Sequence, residues 1–182
     1  MRTFNVPTRD EVSEDDKIIF DGLKKAVGFV PNLYATIAHS KNALGSYLAL
    51  SSAKTSMSAK EKEVVNLVVS QVNGCEYCLA AHTAIGQMNG FTEDQILEIR
   101  QGEISFDTKL NALAQFVEDT TINRGRPSSE NIEALYEVGY TNENLVDILL
   151  IIGDKTFTNY LHGITGIPVD FPAAPPLVEA NL

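Results

Sequence analysis

Helix start and stop signals dominate this chain. Ser58-Ala59-Lys60-Glu61 and Thr92-Glu93-Asp94-Gln95 each form a capping box, in which the first side chain caps a backbone N–H of the opening turn and the fourth reaches back to the cap. Val64, Val65, Val68, Val69 and Val72 follow the first box at helical spacing, and Asn73-Gly74 stops that helix. No stretch sustains the period-two alternation of a half-buried strand, so the chain is expected to be all-α. Ser13 precedes an amphipathic stretch through Ile18, Ile19, Leu23 and Val27 that Gly28 ends. Pro31 can open a short helix through Leu33, Tyr34 and Ile37, and Ser40 precedes another carrying Leu44, Tyr47 and Leu48. Further helices are predicted from Cys75 to about Asn89, from Thr92 to Gly102, from Asp107 through Val117, from Ser129 to Gly139 and from Thr141 to about Thr165.

The segment beyond Gly166 holds Pro168, Pro172, Pro175 and Pro176 and cannot continue a helix. Its Ile167, Val169, Phe171 and Leu177 call for a surface or a partner subunit to pack on. A length of 182 residues suits one all-α domain over 1–182, with a Pro-rich tail at 166–182. The residues are 44% hydrophobic and 21% charged, which excludes a disordered chain. The net charge of −10 repels phosphate backbones and argues against nucleic acid as the main partner. The longest apolar run, Ile148-Leu149-Leu150-Ile151-Ile152, is far short of the roughly 20 residues of a spanning helix. Met1 through Asp16 has no apolar core of a secretory signal. No membrane partner is expected, and the cytoplasm is the expected compartment.

The chemistry concentrates in Gly74-Cys75-Glu76-Tyr77-Cys78-Leu79-Ala80-Ala81-His82. Cys75 and Cys78 are the only cysteines. A bridge between them closes a very short loop and constrains the unfolded chain little, so the pair points to catalysis, redox exchange or metal binding. On a helix turning about 100° per residue, Cys75, Cys78 and His82 share one face. A helix starting at Gly74 would put Cys75 in the first turn, where free N–H groups and the helix dipole favour a thiolate. A thiol with a base one turn away and a second thiol three residues back can attack and then resolve as a disulfide. Glu63 is not used by the capping box that occupies Glu61. It lies roughly 15 Å before Asn73 along an ideal helix, and His82 lies roughly 12 Å after Gly74. A hairpin at Asn73-Gly74 would bring this carboxylate and imidazole to similar depth.

Other readings of the same residues stay open at this level. Zinc would have to take Cys75, Cys78, His82 and a carboxylate, and three ligands on one helical face suit a tetrahedron poorly. A thioredoxin-like motif needs a βαβ context that the chain lacks. The cysteines could also be inert and buried. Glu63, Asn66 and Ser70 share a helix side that could simply be solvated. His39 and His162 read as surface or helix-end histidines.

Glu63 followed by Cys75-x-x-Cys78-x-x-x-His82 resembles the AhpD-like alkylhydroperoxidase branch of the carboxymuconolactone decarboxylase superfamily. Gly28-Phe29-Val30-Pro31-Asn32 and Ile167-Pro168-Val169-Asp170-Phe171-Pro172 look like its peroxidase-related subgroup. The likeness is strongest over roughly 40–125 and weaker over nearly the whole chain. It implies an AhpD-like helical bundle with the C-x-x-C at the start of a core helix, in a homo-oligomer, a trimer or hexamer. It further implies an antioxidant thiol peroxidase with no metal or other cofactor. Cys78 would attack the hydroperoxide, Cys75 would resolve the sulfenic acid to a redox-active disulfide, and His82 and Glu63 would relay protons. A thiol or dithiol reductant, such as a lipoyl or thioredoxin-like protein, would restore the dithiol. The same dithiol also fits a general disulfide oxidoreductase or a non-enzymatic redox-sensing oligomer. Decarboxylase members generally lack the cysteine pair, so its presence argues against that activity. The best-known member has a histidine inside its C-x-x-C, where this chain has Glu76 and Tyr77; a carboxylate there would raise a cysteine pKa.

Overall fold

The computed structural model describes residues 4–177. The far ends of the expected domain and tail, 1–3 and 178–182, lie outside the described residues. Among those described there are nine α-helices, one 3-10 turn at Arg9–Glu11 and no strand. The helices are α1 (Glu14–Val27), α2 (Asn32–Ile37), α3 (Ala43–Ser51), α4 (Ala59–Val72), α5 (Glu76–Met88), α6 (Glu93–Gln101), α7 (Thr108–Ile122), α8 (Ser129–Glu137) and α9 (Asn142–Thr165). The caps explain most of these boundaries. Ser13, Ser58, Thr92, Asp107, Ser128 and Thr141 each accept a bond from a backbone N–H in the first turn of their helix.

Two helices start later than expected, α5 at Glu76 rather than Cys75 and α3 well after Ser40. Ser40 does not open α3; its carbonyl closes a turn with Ala43 N–H at 3.0 Å, and the helix starts later than a serine cap would set it. The 3-10 turn at Arg9–Glu11 precedes the first expected helix. It is held by Glu11, whose carboxylate accepts from the Thr8 backbone N–H at 2.7 Å.

The centre of the molecule is α4. Every residue from Glu63 to Ser70 is buried, because α5, α6, α7 and α9 all pack around it. Burial therefore extends beyond the valine stripe at 64, 65, 68, 69 and 72 to Glu63, Asn66, Leu67 and Ser70 on the rest of the helix. Val64, Leu67 and Val68 meet Ile96, Ile99, Leu113, Phe116, Leu135 and Ile148 in the main core. A smaller cluster of Phe20, Ile37, Leu44 and Tyr47 joins α1, α2 and α3. A third packs Leu33 and Ile167 against Tyr77 and both cysteines.

The tail after Gly166 packs on its own chain. Gly166 adopts φ +58°, a left-handed turn that suits glycine, and releases the chain from α9. Ile167 is buried beside the cysteines, and Phe171 meets the Tyr77 ring edge-on with centroids 5.6 Å apart. Asp170 accepts from the Asn32 backbone N–H at 2.7 Å, tying the tail to α2.

No described helix is long and apolar enough to cross a membrane. The outer face of α9 is apolar nonetheless. Val146, Leu150, Gly153, Phe157, Tyr160 and Ile164 are exposed at alternating steps of four and three residues.

Candidate active site

The turn between α4 and α5 places the site. Gly74 takes φ +63°, a conformation open to glycine at little cost, and lets the chain reverse within Asn73–Cys75. The two helices fold back on each other, and Glu63 meets His82 across them: Glu63 Oε2 lies 2.7 Å from His82 Nδ1. Asn66 Nδ2 donates to the other carboxylate oxygen at 3.0 Å. Glu63, Asn66 and Ser70 are all buried, so the side they share is internal rather than solvated.

The cysteines sit at the turn, each 2% exposed. Cys75 is not in the first turn of the helix; it is the N-cap of α5, and its sulfur accepts from the Cys78 backbone N–H at 3.3 Å. The two sulfurs are 2.7 Å apart, with the Cys75 thiol donating toward Cys78. This geometry reverses the expected placement of charge. The hydrogen bond to Cys78, then burial, then the charge on Cys78 hold the Cys75 thiol well above the ordinary cysteine range. The bond from Cys75 lowers Cys78, and the Lys155 ammonium, Asn159 and Thr158 add to it, outweighing burial. Glu76, expected to raise a cysteine pKa, is exposed to solvent and is not among the main causes of either shift.

His82 is lowered by burial and by the Lys155 charge, more than Glu63 raises it. A neutral ring at pH 7 therefore donates its Nδ1 proton to Glu63 and keeps Nε2 as an acceptor. Burial alone would raise Glu63, but the bonds from His82 and Asn66 and the positive charge nearby bring it below the usual glutamate value. Glu63 is thus ionised at neutral pH and fixes the His82 tautomer.

Three residues of α9 that no sequence motif singles out complete the surroundings. Lys155 is 5% exposed, with no carboxylate in ion-pair distance among the described residues. Thr158 Oγ1 lies 3.9 Å from Cys78 Sγ. Asn159 donates to Ser70 Oγ at 3.3 Å and accepts from Asn73 at 3.0 Å, pinning the turn that carries the cysteines. Their signal in the sequence is a polar stripe at 155, 158, 159 and 162 on a helix otherwise rich in Ile and Leu. His39 and His162 stay outside the site: each ring takes a backbone carbonyl, of Asn5 at 2.9 Å and of Ile167 at 3.2 Å. Among the described residues, no group of three or more His, Cys, Asp or Glu is placed to hold a metal ion.

Residues 35–119, which carry α4, α5 and this whole hairpin, match the carboxymuconolactone decarboxylase family. The match spans a little under half of the chain. A relative, the uncharacterized protein YdfG of Bacillus subtilis (strain 168), is 27% identical over 101 residues, which span 54% of this chain and 69% of the relative. The fold is that of AhpD-like proteins. A peroxidase-related protein with an alkylhydroperoxidase AhpD core from Ralstonia eutropha JMP134 superposes with a TM-score of 0.83 at 21% identity, covering 92% of this chain and 91% of that one. A peroxidase-related protein from Silicibacter sp. TM1040 gives 0.81 at 21% identity, covering 91% and 90%. A variant of the debrominase Bmp8, in complex with 2,3,4-tribromopyrrole, gives 0.74 at 17% identity over 93% of both chains. The same fold is thus found in peroxidase-related proteins and in a debrominase, and at these identities it is the fold alone that the superpositions establish.

Proposed function

We propose that this chain is a thiol-dependent peroxidase for small hydroperoxides. The observation that carries the reading is the pair of sulfurs at 2.7 Å, with an ionised Glu63 and a neutral His82 on the same hairpin. The Cys78 thiolate attacks the terminal oxygen of the hydroperoxide and the O–O bond breaks. The proton given up by the Cys78 thiol passes through His82 Nε2 to the leaving alkoxide, which departs as the alcohol, and Cys78 becomes a sulfenic acid. The Cys75 sulfur then attacks Cys78, water leaves, and a Cys75–Cys78 disulfide remains. Two electrons have passed from the dithiol to the peroxide. A disulfide bond is about 2.05 Å long, so its formation asks for well under about 1 Å of sulfur movement. A thiol or dithiol reductant, lipoyl or thioredoxin-like, returns the electrons, which suits a reducing compartment such as the cytoplasm.

The exposed seam of α9 supports a homo-oligomer. Steps of four and three residues average about 3.5, the period at which one helix meets another along a continuous line, and a second copy of this chain offers the same seam.

The test is a thiol count under limiting hydroperoxide. Two thiols lost per peroxide consumed, with a Cys75–Cys78 disulfide found by mass spectrometry, is the expected result. Thiols that resist peroxide but oxidise with a disulfide donor would transfer the reading to a general disulfide oxidoreductase. Oxidation without turnover under any reductant would make the pair a redox sensor.

A further inference from the structure

The tail roofs a recess of about 540 Å³ over α5 and the end of α6, with neither cysteine in its lining. That size lies within the 300–1,000 Å³ or so of ordinary small-molecule sites. Its walls are mostly apolar, from Leu79, Ala80, Val169, Phe171 and Ala174. Into it faces Arg100, a residue only 6% exposed. Its Nε donates to Gln71 Oε1 at 3.0 Å and its Nη1 to the Pro175 carbonyl at 2.5 Å. A guanidinium has five N–H donors, so three have no acceptor among the described residues.

The chain holds 24 carboxylates on Asp and Glu, yet none among the described residues lies within ion-pair distance of this buried cation. A buried charge without a counter-charge is costly, and an anion in the recess would relieve that cost. The unused edge, formed by the two Nη groups, is an edge that can grip a carboxylate with two parallel bonds. Glu76 stands at the rim, which disfavours a multiply charged anion such as a phosphate ester.

We infer that the Arg100 recess binds a monocarboxylate with an apolar body, the head group on the guanidinium and the chain along Leu79, Val169 and Phe171. Neither cysteine lines the recess, and the inference stands whether or not the dithiol chemistry is peroxidatic.

Octanoate is a suitable probe, with octan-1-ol as its uncharged counterpart, titrated into the full chain by calorimetry. Saturable 1:1 binding of octanoate, at least tenfold tighter than of the alcohol, is expected. Arg100→Gln should lose at least tenfold. Because Arg100 also holds the tail, Ala174→Leu serves as a second variant: it fills the recess, leaves the guanidinium in place and should weaken octanoate similarly. Equal binding of acid and alcohol, absence of saturable binding, or indifference to both variants would overturn the inference. Binding seen only in a chain ending at Leu177 would overturn it too, by assigning Arg100 to the protein's own last residues.

Discussion

Glu63 and His82 are nineteen residues apart in sequence and 2.7 Å apart in space, on two helices joined by a three-residue turn. The carboxylate accepts from Nδ1, so the imidazole is oriented by a group that a solvent-facing helix would never keep. Replacing Glu63 with Gln should leave the fold intact and slow peroxide-driven thiol loss by about 10²-fold, the usual scale for a disabled proton transfer. Stopped-flow peroxide consumption by the reduced protein reads this directly. The His82 ring nitrogen shifts in NMR should report a changed tautomer balance, which a purely structural glutamate would not produce.

The same pair sets a pH dependence. His82 is lowered in the fold, so the unfolded chain binds its proton first, and the stability it contributes is complete above about 6.5 and lost as pH falls below that. Glu63 is also lowered, and its contribution is lost below about 4.3, as pH falls toward the folded value. The urea midpoint should therefore drop between about pH 7 and pH 5, and drop less in His82→Gln. An equal slope in that variant would remove His82 as the cause.

Lys155 should be the charge that keeps Cys78 ready. Lys155→Met is predicted to raise the half-point of Cys78 alkylation, which in the native chain lies below the free-cysteine value of about 8.5. Each unit of that shift means about tenfold less thiolate at neutral pH. Iodoacetamide labelling followed by peptide mass spectrometry, across about pH 5 to 9, measures it.

The two cysteines should fail in different ways. Cys78→Ser is expected to abolish peroxide consumption. Cys75→Ser should consume one equivalent and stop, leaving a sulfenic acid on Cys78 that dimedone captures. A dimedone adduct on Cys75 in the native chain would exchange their roles.

Phe157 lies mid-way along the exposed seam of α9. Phe157→Glu should lower the sedimentation mass of the native assembly while leaving helix content unchanged. An unchanged mass would free that face from the interface.

The all-α architecture was legible because its caps are local: Ser58 and Glu61, or Thr92 and Gln95, settle a boundary within four residues. The meeting of Glu63 with His82 was legible for a related reason, since similar helix lengths on either side of a tight turn bring two residues to one level. The charge on the thiols was not. Cys75 caps the helix rather than joining it, and this one-residue shift turns the expected thiolate into the proton donor. Lys155, Thr158 and Asn159 were hidden because a polar residue on a long apolar helix reads equally well as solvated until its inner side is known. Arg100 could not be placed either, as its bond to Pro175 spans 75 residues.

Ile167 and Phe171 pack against the group that holds both thiols. A peroxide is small enough to pass through the breathing of such side chains, whereas a folded electron donor is not. The two half-cycles should accordingly differ in gating: oxidation would run with the tail in place, and reduction would wait for a slender dithiol arm or for the tail to peel away. Under oxidative load the disulfide form would then be the one that accumulates, and the tail, rather than the sulfur chemistry, would set how quickly the protein recovers.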